Sequence, residues 1–166
     1  MDKLIVVIAV VLLLMMQIGI FSNLTLLHGT PDVMLVALIA WALNDRVKTG
    51  WLWGILSGIL IGFVSALPFV PVLIGYVAIT GFAIFFRQRV WQAPLLAVFM
   101  MTLFGSLIMM GLALVNLGFS GGGFSLEAAF SQIVLPTVLM NLMIALPIHY
   151  IFLDFADWLY PLEEEV

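Results

Sequence analysis

Apolar residues dominate the chain in six long runs, and polar residues gather in the short segments between the runs. A bilayer core about 30 Å thick requires roughly 20 apolar residues per helix, with a range of about 17–25. The runs approach this length, and polar residues or proline and glycine end them. The pattern predicts six transmembrane helices, over residues 4–22, 30–46, 51–67, 71–86, 91–117 and 133–153.

The basic residues predict the orientation of these helices. With six spans, both termini, the loop between helices two and three and the loop between helices four and five lie on one side of the membrane. All five basic residues fall on that side: Lys3, Arg46, Lys48, Arg87 and Arg89. Short cytoplasmic loops retain lysine and arginine, so we predict an N-in, C-in topology.

Composition restricts the class of protein further. Hydrophobic residues make up 65% of the chain and charged residues 8%, whereas a soluble domain has roughly 45–50% apolar and about 25% charged residues. We therefore predict an all-α integral membrane protein with a single domain over residues 1–166, and we exclude soluble and disordered classes. The net charge of −4 also argues against nucleic-acid binding.

A glycine-rich segment between the fifth and sixth runs is expected on the outer side. After residues 118–123, Ser125 is predicted to cap a short helix whose dipole Glu127 complements. Three phenylalanines give this segment apolar faces: Phe119, Phe124 and Phe130. We expect the segment to lie on the membrane surface or against the extracytoplasmic part of a partner.

Residues 118–122 also match the Gly-x-Ser-x-Gly pattern of serine hydrolases, with Ser120 as the nucleophile. That chemistry needs a histidine within hydrogen-bond reach. His149 lies about 17 residues into the last predicted helix, roughly 25 Å away at 1.5 Å per residue, and His28 has no predicted helix to hold it. Without cysteine, and with these two histidines far apart, no metal site is expected. We predict a non-enzymatic protein without a cofactor.

The polar residues in the middle of the predicted spans are uncharged: Gln17, Ser57, Thr80, Ser106 and Asn141. Transporters that couple to protons carry ionisable groups in the membrane, so this pattern argues against such coupling and leaves open a pocket for a neutral ligand. Asn141 is the deepest strong hydrogen-bonding residue. It is expected to bond to a neighbouring helix of the chain, or else to contact a partner helix or a ligand.

The sequence Thr30-Pro31-Asp32 is predicted to begin the second helix. Threonine would cap the helix, proline suits the first helical position, and an acid in the first turn complements the dipole. A functional role in addition to capping is the alternative.

Glycine recurs at four-residue intervals along the third run, at Gly54, Gly58 and Gly62. Such a face lets another backbone approach closely. The expected occupant is a helix of the same chain, and the alternative is a helix of a partner.

The order of these features resembles the MreD family of bacterial rod shape-determining membrane proteins over nearly the whole chain. Length, six spans and orientation agree with that family. The positions that carry the resemblance are Pro31, Asp32, Gly54, Gly58, Gly75 and Tyr76. Where the family often has an acidic residue toward the end of the third helix, this chain has Gly62.

The resemblance implies a scaffold in the bacterial inner membrane that binds MreC directly. Its further partners would be MreB, RodA and a class B penicillin-binding protein, so that the MreB cytoskeleton is coupled to peptidoglycan synthesis and cell shape. It also implies a bundle similar to the S component of energy-coupling-factor transporters. The alternative hypothesis is an S-component-like subunit that binds the substrate of a small-molecule transporter.

Overall fold

A computed structural model of the chain describes residues 2–89, 93–119 and 125–161, and these residues form helices without a β-strand. The α-helices are α1 Asp2–Gly19, α2 Val33–Leu43, α3 Gly50–Val64, α4 Phe69–Arg87, α5 Pro94–Phe119, α6 Leu126–Ala129 and α7 Leu135–Leu159. A 3-10 turn, Phe21–Asn23, follows α1, and a π-helical turn, Phe130–Val134, joins α6 to α7. The predicted all-α class is confirmed for this part of the chain. The expectations for Ser120 and Phe124 lie outside the described residues.

Four helical segments of the described chain are long and apolar enough to cross a membrane: 3–23, 69–87, 94–119 and 127–159. Two shorter apolar helices, α2 with 11 residues and α3 with 15, accompany them. At 1.5 Å per residue they are about 16 Å and 22 Å long. By length and composition the molecule is a helical membrane protein. The second helix is shorter than the predicted range 30–46, so its predicted length is wrong.

The second helix is shorter because Asp32, and not Thr30, is its N-cap. Asp32 has non-helical backbone angles, φ −101° and ψ 81°, and its carboxylate accepts a hydrogen bond from the Leu35 N–H at 3.0 Å. Aspartate is a stronger N-cap residue than threonine. Pro31 therefore lies outside the helix and not at its first position, which corrects the sequence prediction.

The helix α2 forms the centre of the bundle. Ten of its eleven residues are buried, and it packs against α1, α3, α4, α5 and α7. A helix that is apolar on all sides is one that is shielded from water by protein or lipid, and here neighbouring helices enclose it.

Basic and acidic side chains join three helix ends at one end of the bundle, which we call the basic end. One nitrogen of Arg87, at the end of α4, donates to the carbonyl oxygens of Asn44 and Val47 after α2. Arg46 forms an ion pair with Asp157 near the end of α7, with 2.6 Å between nitrogen and oxygen. The loop between α2 and α3 is thereby fastened to both α4 and α7.

At the opposite end, a tight turn of residues 26–29 docks on the beginning of α7. Pro136 has no N–H, so the carbonyl of Gln132 four residues earlier lacks its helical partner. The His28 N–H donates to this carbonyl at 3.1 Å, where the helix has its π turn. Gly29 is required here, because a Cβ atom would lie 2.6 Å from the Thr137 nitrogen.

The short helix α6 follows the sequence prediction. The Ala128 N–H donates to the Ser125 hydroxyl at 3.2 Å, and Glu127 lies in the first turn. Phe119 and Phe130, before and after this helix, are 88% and 52% exposed. Apolar side chains therefore project from this end of the molecule, and their contact with a membrane surface or a partner stays a prediction.

Candidate functional site

A connected group of polar side chains lies where α2, α5 and α7 meet. It is toward the end of the bundle opposite the basic end. The Asn141 side-chain oxygen accepts a hydrogen bond from the Asp32 N–H at 2.7 Å. The Asn141 amide nitrogen donates to the Ser106 hydroxyl at 2.8 Å. The structure thus places the deepest predicted hydrogen-bonding residue between two other helices of the same chain.

Tyr76 connects α4 to the same group. Its hydroxyl donates to both carboxylate oxygens of Asp32, at 3.1 Å each. The Tyr76 ring is fully buried. A buried tyrosine needs a partner for its hydroxyl, and Asp32 supplies it while it also caps α2.

Gln17 attaches the peripheral helix α1 to the start of α2. Its amide nitrogen donates to the Pro31 carbonyl at 3.0 Å, and its amide oxygen accepts from the Val33 N–H at 2.8 Å. The second bond satisfies one of the N–H groups that a helix start leaves without partners. We refer to Gln17, Asp32, Tyr76, Ser106 and Asn141 together as the Asp32 network.

A cavity of about 430 Å³ adjoins the Asp32 network. The last turns of α1 and α3, the start of α2, and parts of α5 and α7 form its wall. Its polar lining residues are Gln17, Ser22, Thr30, Asp32, Ser65 and Thr137. Asp32 is the only ionisable side chain among the described residues that line it.

The glycine face of α3 is occupied by α4. A Cβ atom at Gly54 would lie 2.1 Å from the Thr80 hydroxyl oxygen, and one at Gly62 would lie 2.7 Å from the Phe69 ring. At Gly58 the nearest atoms belong to Leu73 and Tyr76. The structure therefore fills this groove with a helix of the same chain.

Gly75 gives the same kind of close approach between α4 and α5. A Cβ atom there would lie 2.8 Å from the Met109 sulfur and 3.0 Å from a Leu112 methyl carbon. Pro31 accepts the hydrogen bond of Gln17 through its carbonyl. The positions Pro31, Asp32, Gly75 and Tyr76 thus all take part in contacts between helices.

Other polar residues of the predicted spans lie outside the Asp32 network. The Thr80 hydroxyl donates to the Tyr76 carbonyl at 2.7 Å. Four buried polar atoms have no hydrogen-bond partner in the described part of the chain; they belong to Trp53, Ser57, Thr102 and His149. No group of three metal-binding side chains occurs among the described residues.

No protein-family model, curated protein or solved structure matches the chain. Function is therefore inferred from the sequence pattern and from the geometry of the Asp32 network and its cavity.

Proposed function

We propose that the chain is an MreD-like, non-enzymatic scaffold of the bacterial elongation machinery. It crosses the cytoplasmic membrane six times with both termini inside, in an S-component-like bundle. It binds MreC directly and, together with MreB, RodA and a class B penicillin-binding protein, helps couple the cytoskeleton to peptidoglycan synthesis.

The observation that carries this proposal is that the residues resembling the family motif make contacts between helices. Asp32 and Tyr76 bind each other, Pro31 binds Gln17, and Gly75 receives α5. Residues that resemble the family therefore hold four helices, α1, α2, α4 and α5, in one arrangement. A scaffold requires such rigidity, because its binding surfaces must keep their relative positions.

The helix ends support the proposed topology. The basic end contains Arg46 and Arg87, and the positive-inside rule assigns it to the cytoplasm. The helices α2 and α3 are shorter than the hydrocarbon core, but both are apolar except for Ser57 in α3, and α2 is enclosed by its neighbours. We assign both to the membrane as the second and third spans.

The helix α1 offers the partner surface. Only 11% of its membrane-spanning stretch is buried inside the protein, whereas 33–39% is buried in the three other long segments. Four large side chains form an exposed stripe along it: Leu4, Ile8, Leu12 and Met15. Helices in a membrane associate by van der Waals packing, so we place the transmembrane helix of MreC along this stripe.

Replacing both Ile8 and Leu12 by tryptophan is expected to reduce co-purification of MreC. The two indole rings would hold a neighbouring helix away from the α1 surface, while the apolar character needed for insertion remains. We expect about a tenfold loss of bound MreC, equivalent to about 1.4 kcal/mol. The measurement is the amount of MreC recovered with the tagged chain from detergent-solubilised membranes.

The matched control is a double tryptophan variant at Val70 and Ile74, which are exposed on α4. It should retain MreC at the parent level. Equal recovery of MreC with the α1 variant, in a monodisperse sample, would remove α1 from the interface. If neither variant nor the parent recovers MreC, the scaffold proposal itself is wrong.

The cavity favours a second candidate function, an S-component-like subunit that binds a substrate for uptake. Its volume lies within the range of about 300–1,000 Å³ that is typical of small-molecule sites. A small molecule retained at one equivalent after purification, detected by native mass spectrometry, would support this function. A gene neighbourhood with transport ATPases in place of mreB and mreC would support it independently.

A further inference from the structure

The cavity beside the Asp32 network brings a carboxylate together with an apolar wall. Asp32 is half-buried and is one of the residues that line the cavity. The apolar wall includes Ile61 and Val64 of α3 and Met109 and Met110 of α5. A site with these two parts suits an amphiphile whose polar group is small.

The charge of Asp32 determines which polar group fits. Its carboxylate accepts hydrogen bonds from the Leu35 N–H and the Tyr76 hydroxyl, and both donors are neutral. The ion pairs of the described residues involve Asp45 and Asp157 at the basic end, so neither supplies a cation to Asp32. A carboxylate in a membrane protein is costly without a counter-charge. A cationic group placed beside Asp32 therefore gains more than a neutral or anionic group.

The neighbouring acceptors favour an ammonium group that carries protons. A primary ammonium donates three hydrogen bonds, whereas a quaternary ammonium donates none. Among the described residues, Asp32 Oδ2 accepts a hydrogen bond from Tyr76 alone, and a carboxylate oxygen has capacity for a further one. Thr30, Ser65 and Thr137 line the same cavity, and a hydroxyl group can accept hydrogen bonds from an ammonium group.

We propose that this cavity binds an amphiphile with a primary ammonium group, which pairs with Asp32 while its alkyl part packs against the methionine and aliphatic side chains. The ligand is a free alkylamine or the ethanolamine headgroup of a lipid, which share this chemistry. The site belongs to this chain alone and does not depend on MreC.

The first test is the thermal unfolding midpoint of the detergent-purified chain during titration with n-hexylamine. We expect a saturable rise for the parent protein and no saturable rise with n-hexanol, which has the same alkyl chain without a charge. Asp32→Asn keeps the size of the side chain and can still cap α2, but it should weaken the response about tenfold or more. Glu127→Gln, which removes an exposed charge outside the cavity, should behave like the parent.

A second variant keeps the test decisive if Asp32→Asn alters folding. Ala66 lines the cavity and is exposed, so Ala66→Trp would fill the cavity and leave the Asp32 network intact. It should abolish the saturable response, while Val70→Trp, outside the cavity, should retain it. An equal response to hexylamine in the parent, Asp32→Asn and Ala66→Trp would overturn the proposal, as would an equal response to hexanol.

Native mass spectrometry separates the two sources of the ligand. After equilibration with mixed micelles, retention of phosphatidylethanolamine over phosphatidylcholine, lost in Asp32→Asn, identifies a lipid headgroup. A hexylamine response without such retention identifies a free amine. If neither a hexylamine response nor lipid retention is observed, the proposal is overturned. Co-purification of MreC is a separate measurement, so the scaffold proposal is not affected by that result.

Discussion

Gly54→Ala is expected to destabilise the bundle by about 1–3 kcal/mol, the range for overpacking a tightly packed interior. The added methyl would lie 2.1 Å from the Thr80 hydroxyl oxygen and 2.8 Å from the Thr80 Cβ atom. Thr80 is fully buried, and its hydroxyl is held by the Tyr76 carbonyl. The clash therefore cannot be relieved by rotating an exposed side chain, and α3 must move away from α4.

The measurement is the fraction of sodium dodecyl sulfate that unfolds half of the protein in mixed micelles. The matched control is Gly111→Ala in α5, where an added Cβ meets no atom within 4 Å. Alanine is favoured over glycine in a helix by about 0.8–1.0 kcal/mol, so this control should be neutral or more stable. Equal midpoints for the two variants would show that α3 and α4 leave room for a methyl group at position 54.

The apolar runs predicted the helical class and the approximate position of every long helix, because bilayer thickness and helix rise fix the length of a span. The predicted fourth helix, 71–86, corresponds to Phe69–Arg87. The second helix was wrong at both ends. The prediction included the polar residues that flank the apolar run. In the structure Asp32 caps the helix, Asn44 has extended backbone angles, and Asp45 and Arg46 form a turn.

The docking of residues 26–29 on α7 could not be predicted from local pattern. Pro136 indicates that a carbonyl at Gln132 lacks its helical partner, but nothing near Pro136 in the sequence identifies the donor. The donor, His28, is about a hundred residues away, and a contact of that separation depends on the whole topology.

The members of the Asp32 network were recognisable one at a time. Gln17, Ser106 and Asn141 are polar residues in apolar runs, and Asp32 stands before such a run. Their mutual contacts could not be predicted, because these depend on how the helices pack around α2. In the structure α1 and α7 supply the hydrogen-bond partners at its start. The cavity was not predictable either, because its wall comes from five separate parts of the chain.

Asn141→Leu is expected to destabilise the fold by about 1–3 kcal/mol, the range for leaving a buried polar group without a partner. Leucine is similar in size, but it accepts no hydrogen bond from the Asp32 N–H and donates none to Ser106. Asn141 is 1% exposed, so water has little access to replace these bonds. Met143→Leu, at a position 76% exposed on the same helix, should leave the unfolding midpoint unchanged.

A double-mutant cycle with Ser106→Ala tests whether the two residues act through their mutual hydrogen bond. The single Ser106→Ala change should cost about 0.6 kcal/mol, the average for a hydrogen bond between membrane helices. In the Asn141→Leu background the same change should have almost no effect, because the serine hydroxyl has already lost its partner, and coupled residues are not additive. Additive effects would show that Asn141 stabilises the bundle through Asp32 alone, and the connection between α5 and α7 would then have to come from apolar packing.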